Sequence, residues 1–196
     1  MDDVKNILLV GVGGQGIILA STILSQAALL SGHDVKNNEV HGMAQRGGSV
    51  SSEIRWGDRI YSPLIAQGEV DYLVAMEKLE TLRYVHMLRP GGTVVIGDMR
   101  IPPLSVSSGS DVYPDDERIR ETVEQVAAKV CLLPSSRLAK EAGTVRAHNI
   151  VVLGALSTYL PDVAPAIWEE VIAASVPQRY VEVNLQAFRL GRGTAC

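Results

Sequence analysis

Only two cysteines, Cys131 and Cys196, occur in 196 residues. That number excludes a four-thiolate iron–sulfur cluster or an all-cysteine zinc site within this chain. A disulfide between them is chemically open but nothing in the sequence supports one, so a reduced, cytoplasmic setting is the expectation. Aromatic side chains are scarce, with one Phe and two Trp, which leaves Leu, Val, Ile and Ala to fill the core. Basic charge is not in surplus either: the formal net charge is −4, and no Lys/Arg run marks a groove for nucleic acid. No basic segment precedes an apolar stretch with a cleavage site, so a signal peptide is not expected. His33, His86 and His148 lack metal-ligand spacing, and Ser105, Ser107, Ser108 and Ser110 form no triad with a His and an acid. The residues therefore assemble neither a catalytic nucleophile nor a metal cage.

What the chain does have is a hydrophobic content of 46% and a charged content of 20%, ordinary values for a folded domain. Its length suits one domain with a sizeable core, taken as residues 1–196. Asn6 to Gly32 carries no charge, but a glycine turn interrupts it and Ser21, Thr22, Ser25 and Gln26 follow. That pattern fits a buried or interface helix rather than a membrane span.

The organising stretch is NILLVGVGGQG, residues 6–16. Ile7 to Val10 reads as a parallel strand buried on both faces, and the glycines turn the chain into an apolar helix that Ser31-Gly32 ends. His33 to Val40 predicts a second, polar strand. Val50 to Tyr61 alternates, with Gly57-Asp58 as the turn of an antiparallel hairpin. Val70–Met76, Thr93–Ile96 and Val130–Leu133 read as buried strands. Helices are expected over about 77–88, 117–129 (capped by Asp115), 135–142, 148–160, 165–175 and 177–190, the last stopped by Gly191. Residues 101–114 read as a surface loop. Strands alternating with helices predict an α/β fold, a three-layer α/β/α sandwich whose mostly parallel sheet includes an antiparallel hairpin.

Two segments are candidates for binding. Gly11-x-Gly13-x-x-Gly16 fits the dinucleotide fingerprint in its strand-to-helix context, with Glu39 placed as a ribose-binding acid. Gly14-Gln15 is odd for that role. A tight turn with close helix packing explains the same glycines. HGMAQRGG, residues 41–48, is harder to explain by packing: His41 can titrate near neutrality, and Arg46 offers a planar fork to a carboxylate or phosphate. Gln45, Gly47 and Gly48 complete that loop, and the two glycines let backbone N–H groups approach the same anion. Asn149 opens an apolar helix, where a cap or a buried hydrogen bond is the ordinary role.

With GVGGQG at 11–16, EVHGMAQRGG at 39–48 and NIVVLGAL at 149–156, the chain resembles the gamma-domain family of 2-oxoacid:ferredoxin oxidoreductases, and within it the small subunits of the indolepyruvate enzymes. The likeness extends to SPLI at 62–65, LRPGGTVV at 88–95, IPP at 101–103, YPDD at 113–116 and NLQAF at 184–188. The resemblance implies oxidative decarboxylation of an arylpyruvate to an acyl-coenzyme A, with electrons passed to ferredoxin. It also implies that thiamine diphosphate, magnesium and iron–sulfur clusters belong to a large partner subunit and that this chain alone binds no cofactor. Gly11, Gly13, Gly14, Gln15, Gly16, His41, Gln45, Arg46, Gly47, Gly48 and Asn149 are then the candidates for contact with a ligand or the partner. A homodimer is expected when the partner is missing. A free-standing NAD(P)- or FAD-binding oxidoreductase is the competing reading, and a non-catalytic binding module is a third.

Overall fold

The computed structural model describes residues 4–41 and 48–194, apart from the side chains of Val40 and His41. Six strands form one sheet in the order β2-β3-β1-β4-β5-β6. They are β1 (Lys5–Val12), β2 (Asp34–His41), β3 (Ser49–Gly57), β4 (Val70–Glu77), β5 (Leu88–Met99) and β6 (Lys129–Leu133). β1, β4, β5 and β6 run parallel, and β3 is antiparallel to both β1 and β2. Side chains alternate between the two faces, as the pleat requires. Ile7, Leu9, Val74, Met76 and Val95 enter one core, whereas Leu8, Val10, Leu73, Ala75, Val94 and Ile96 enter the other. Burial on both faces explains why these strands read as continuous apolar runs.

The helices are α1 (Ile17–Leu30), α2 (Lys78–Tyr84), α3 (Leu104–Ser107), α4 (Asp116–Glu124), α5 (Ser135–Ala142), α6 (His148–Leu156), α7 (Pro165–Ser175) and α8 (Val181–Arg192). The first core takes residues from α1, α5, α6, α7 and α8, and the second takes Ile119 and Val123 of α4. This is the expected three-layer α/β/α arrangement. β1 is followed by a helix of the first layer, and its neighbour β4 leads into α2, which packs with α4. The chain thus leaves these adjacent strands toward opposite faces. In open α/β sheets, such a switch point opens a crevice beyond the carboxyl ends of the strands.

Several boundaries differ from the sequence reading. The antiparallel hairpin is β2–β3, so the reversal falls between His41 and Ser49, and Gly57 ends β3 instead of turning it. β5 begins at Leu88 rather than Thr93, taking in Pro90 and the two glycines. α4 is shorter than expected and is capped by Asp115, whose carboxylate accepts from the Arg118 N–H at 2.8 Å. Gly191 lies inside α8 rather than past its end. The reason is packing: a Cβ on Gly191 would lie 1.9 Å from the Val151 carbonyl oxygen, and one on Gly154 would lie 2.2 Å from that of Phe188. The two glycines let α6 and α8 touch backbone to backbone, an approach any side chain would block. α6 is buried on every side, which fits its uniformly apolar sequence.

Candidate functional site

The glycine turn between β1 and α1 is held from below by Gln15. This side chain is buried, its Oε1 accepting from the Val12 N–H at 2.7 Å and its Nε2 donating to the Met76 carbonyl at 3.1 Å. Gly11 makes room for it, because a Cβ there would lie 2.8 Å from Gln15 Oε1. Gly16 takes φ of 75° as the residue before α1, a conformation open to glycine, and a Cβ there would meet Asn149 Nδ2 at 2.5 Å. Asn149 Nδ2 donates to the Gly16 carbonyl at 3.1 Å, tying the start of α6 to the start of α1. Gly13 donates its N–H to the carbonyl of Gly48 at 2.8 Å. Gly14, with φ of 101°, has open space where its Cβ would be.

The structure therefore brings Gly11, Gly13, Gly14, Gln15, Gly16, Gly48 and Asn149 together. Gln15 and Asn149 shape the turn from the protein side. Residues 42–47, with Gln45, Arg46 and Gly47, and the side chain of His41 lie outside the described residues. The segment that follows is anchored to α2: Ser49 Oγ donates to Glu80 Oε2 at 2.5 Å and lies 3.2 Å from the Tyr84 hydroxyl.

Beyond the turn, a cleft of about 880 Å³ opens. Its wall includes Gly13, Gly14 and Gly16, Met99 and Ile101 after β5, residues 144–149, and Tyr180 and Asn184 at the start of α8. The amino-terminal ends of α1, α6 and α8 thus border one space, and each brings a positive partial charge. Arg146 is the one charged side chain in the wall among the described residues. This arrangement suits an anionic ligand.

Sequence reasoning passed over His148 for want of ligand spacing. It is 4% exposed, and burial holds its imidazole down at about 4, with the charge of Asp98 acting weakly the other way. It also passed over Glu77, a carboxylate at the end of an apolar strand. Glu77 is buried and accepts from the Ile101 N–H at 2.9 Å, the Glu80 N–H at 3.1 Å and the Tyr113 hydroxyl, so it pins the 101–113 segment to β4. Burial, then the bonded Glu77, push the Tyr113 hydroxyl far above its ordinary range. Glu80, buried beside it, is also raised, chiefly by desolvation. An acid closing an otherwise apolar strand was the available signal for Glu77.

The dinucleotide reading fails on geometry. In that fold the ribose-binding acid stands on the strand next to β1, but here β3 intervenes, which sets β2 roughly 10 Å away. Glu39 accepts from Ser21 Oγ of α1 at 2.8 Å.

A profile of the pyruvate ferredoxin/flavodoxin oxidoreductase family matches residues 6–194. The chain belongs to that family. It is 42% identical to the indolepyruvate oxidoreductase subunit IorB of Pyrococcus horikoshii over 95% of this chain and 93% of that protein. Against the 2-oxoglutarate synthase subunit KorC of Methanothermobacter marburgensis the identity is 32%, over 96% of this chain and 95% of the other. The solved gamma subunit of a keto/oxoacid ferredoxin oxidoreductase from Geobacter sulfurreducens superposes with a TM-score of 0.70, at 26% identity and 95% coverage of each chain. These relatives are subunits of about this length, and this chain is a small subunit of a 2-oxoacid:ferredoxin oxidoreductase. No helix among the described residues is long and apolar enough to cross a membrane.

Proposed function

We propose that the chain is the small subunit of a cytoplasmic arylpyruvate:ferredoxin oxidoreductase, with indolepyruvate as the representative substrate. The observation that carries this is the 42% identity to an indolepyruvate oxidoreductase subunit across nearly the full length of both chains. In this reading residues 1–196 are one gamma-type domain that completes a large subunit. In the same reading thiamine diphosphate, magnesium and the iron–sulfur clusters sit on that partner; for the clusters, two cysteines do not supply the four thiolates one takes. Among the described residues no three His, Cys, Asp or Glu side chains come together to hold a metal.

This chain's own contribution is the cleft over the glycine turn, which receives the phosphate-bearing part of coenzyme A. Gly13, Gly14 and Gly16 present backbone to the ligand, and Gln15 and Asn149 hold that backbone in place. His41, Gln45 and Arg46, with Gly47 and Gly48, meet either coenzyme A or an acidic group of the large subunit. Ferredoxin docks on the assembled enzyme. Without its partner the chain pairs with a second copy through α1, where Ile18, Leu29 and Leu30 are exposed.

A tagged pull-down from the native lysate tests this reading, with the eluate assayed for viologen reduction dependent on indolepyruvate and coenzyme A. A large brown partner that brings this activity is the expected result. A clean chain that binds NAD(P)H would overturn it in favour of the free-standing oxidoreductase.

A further inference from the structure

One polar group in the cleft wall has no answer within the fold. His148, the first residue of α6, is 4% exposed, and its Nδ1 is enclosed without a hydrogen-bond partner. The other ring nitrogen, Nε2, is not so enclosed, and the ring forms part of the cleft wall with Gly14, Gly16 and Arg146. Among the described residues neither ring nitrogen has a hydrogen-bond partner, and Nε2, the one that is not enclosed, is the position at which a ligand in the cleft can supply one. Asp98, at the end of β5, is the charged group whose field reaches the ring. Arg146 stands two residues before it and Tyr180 also borders the cleft. Burial and the positive end of α6 both disfavour a charged imidazole, and a neutral ring carries one N–H.

We propose that His148 contacts the ligand of this cleft, donating from Nε2 to a phosphate oxygen and so favouring phosphate-bearing over uncharged ligands. Donation from Nε2 leaves Nδ1 as a bare lone pair, and an enclosed acceptor without a partner is better tolerated than an enclosed N–H. The acceptor would lie where the amino-terminal ends of α1 and α6 favour negative charge. This inference rests on the reading that coenzyme A occupies the cleft.

The test uses the assembled enzyme, with coenzyme A and pantetheine, which has the same thiol arm but no phosphate, as alternative acyl acceptors. His148→Leu should raise the KM for coenzyme A about tenfold, the size of one lost hydrogen bond to a charged group, and leave that for pantetheine unchanged. His148→Gln, which keeps a donor of similar reach, should recover most of the difference. A general disturbance of the fold would move both acceptors together, and that result would overturn the proposal. Val145→Trp, which fills the mouth of the cleft, separates the two readings. If it raises the coenzyme A KM while His148→Leu does not, the role of His148 falls and the cleft assignment stands. If neither variant changes that KM, both fall.

Discussion

Asn149 Nδ2 reaches the carbonyl of Gly16 at 3.1 Å across 133 residues of sequence, joining the first turn of α6 to the residue before α1. The same side chain accepts from the Ile150 N–H at 3.0 Å. Asn149→Ala removes both contacts inside the protein, and unfolding in urea should show a loss of about 1–3 kcal/mol. Asn149→Asp should lose at least as much, because a carboxylate would face the Gly16 carbonyl with no proton to share. An unchanged midpoint in both would mean that the glycine turn holds its shape without α6.

The contact of α6 with α8 should be far less forgiving. Gly191→Ala places a methyl group 1.9 Å from the Val151 carbonyl oxygen, so the helices must separate. A cost of about 3 kcal/mol or more is expected, at the upper end of overpacking effects. Thermal melting would show it as a drop of several degrees. Gly109→Ala is a useful control, since its site offers open space and only a positive φ to resist the change.

His148 makes stability depend on pH. Its folded-state value of about 4 lies below the ordinary 6.5. Between those values the unfolded chain binds a proton that the folded chain refuses, so stability is complete above 6.5 and is lost as pH falls toward 4. At pH 5 the loss relative to pH 7 should be about 2 kcal/mol. His148→Leu should flatten this part of the profile, read as urea midpoints at the two pH values. Glu80 acts with the opposite sign, because its raised carboxyl takes up a proton more readily folded than unfolded, and comparison with the variant cancels that contribution.

Arg46 is expected to serve the ligand or the partner rather than the fold. Arg46→Ala should weaken the coenzyme A dependence of the assembled enzyme or the yield of the complex, measured by KM and by co-purification. If both stay normal, the assignment of Arg46 is wrong.

For the chain without its partner, light scattering at micromolar concentration should give a dimer. Leu29→Lys with Leu30→Lys, which puts charge on the exposed end of α1, should shift it to a monomer. A monomeric parent chain would contradict the expectation.

Sequence pattern carries only what each residue's near neighbours along the chain disclose. The glycine turn was plain, because a strand, three spaced glycines and an apolar helix are local signals. Gln15 appeared out of place at a phosphate-facing position, and only the Met76 carbonyl, 61 residues away, explains it. Gly191 followed the local rule for a helix stop, but contact with Val151 keeps it inside α8. His148 carried no spacing signal at all, since its meaning depends on a cleft built from three distant helix starts.

Most strands and helices, the α/β class, the family resemblance and the lack of thiolates for a cluster could be read from local sequence, although the hairpin turn expected at Gly57-Asp58 could not. Those properties rest on apolar period, turn residues and composition, which are set within a few positions of each residue. Tertiary structure alone decided that β3 inserts between β1 and β2, which removes Glu39 from the glycine turn and with it the dinucleotide site. It also decided that α1, α6 and α8 open onto one cleft. Strand order and helix convergence are settled by which apolar faces bury together, a balance struck over the whole chain and invisible to any local pattern.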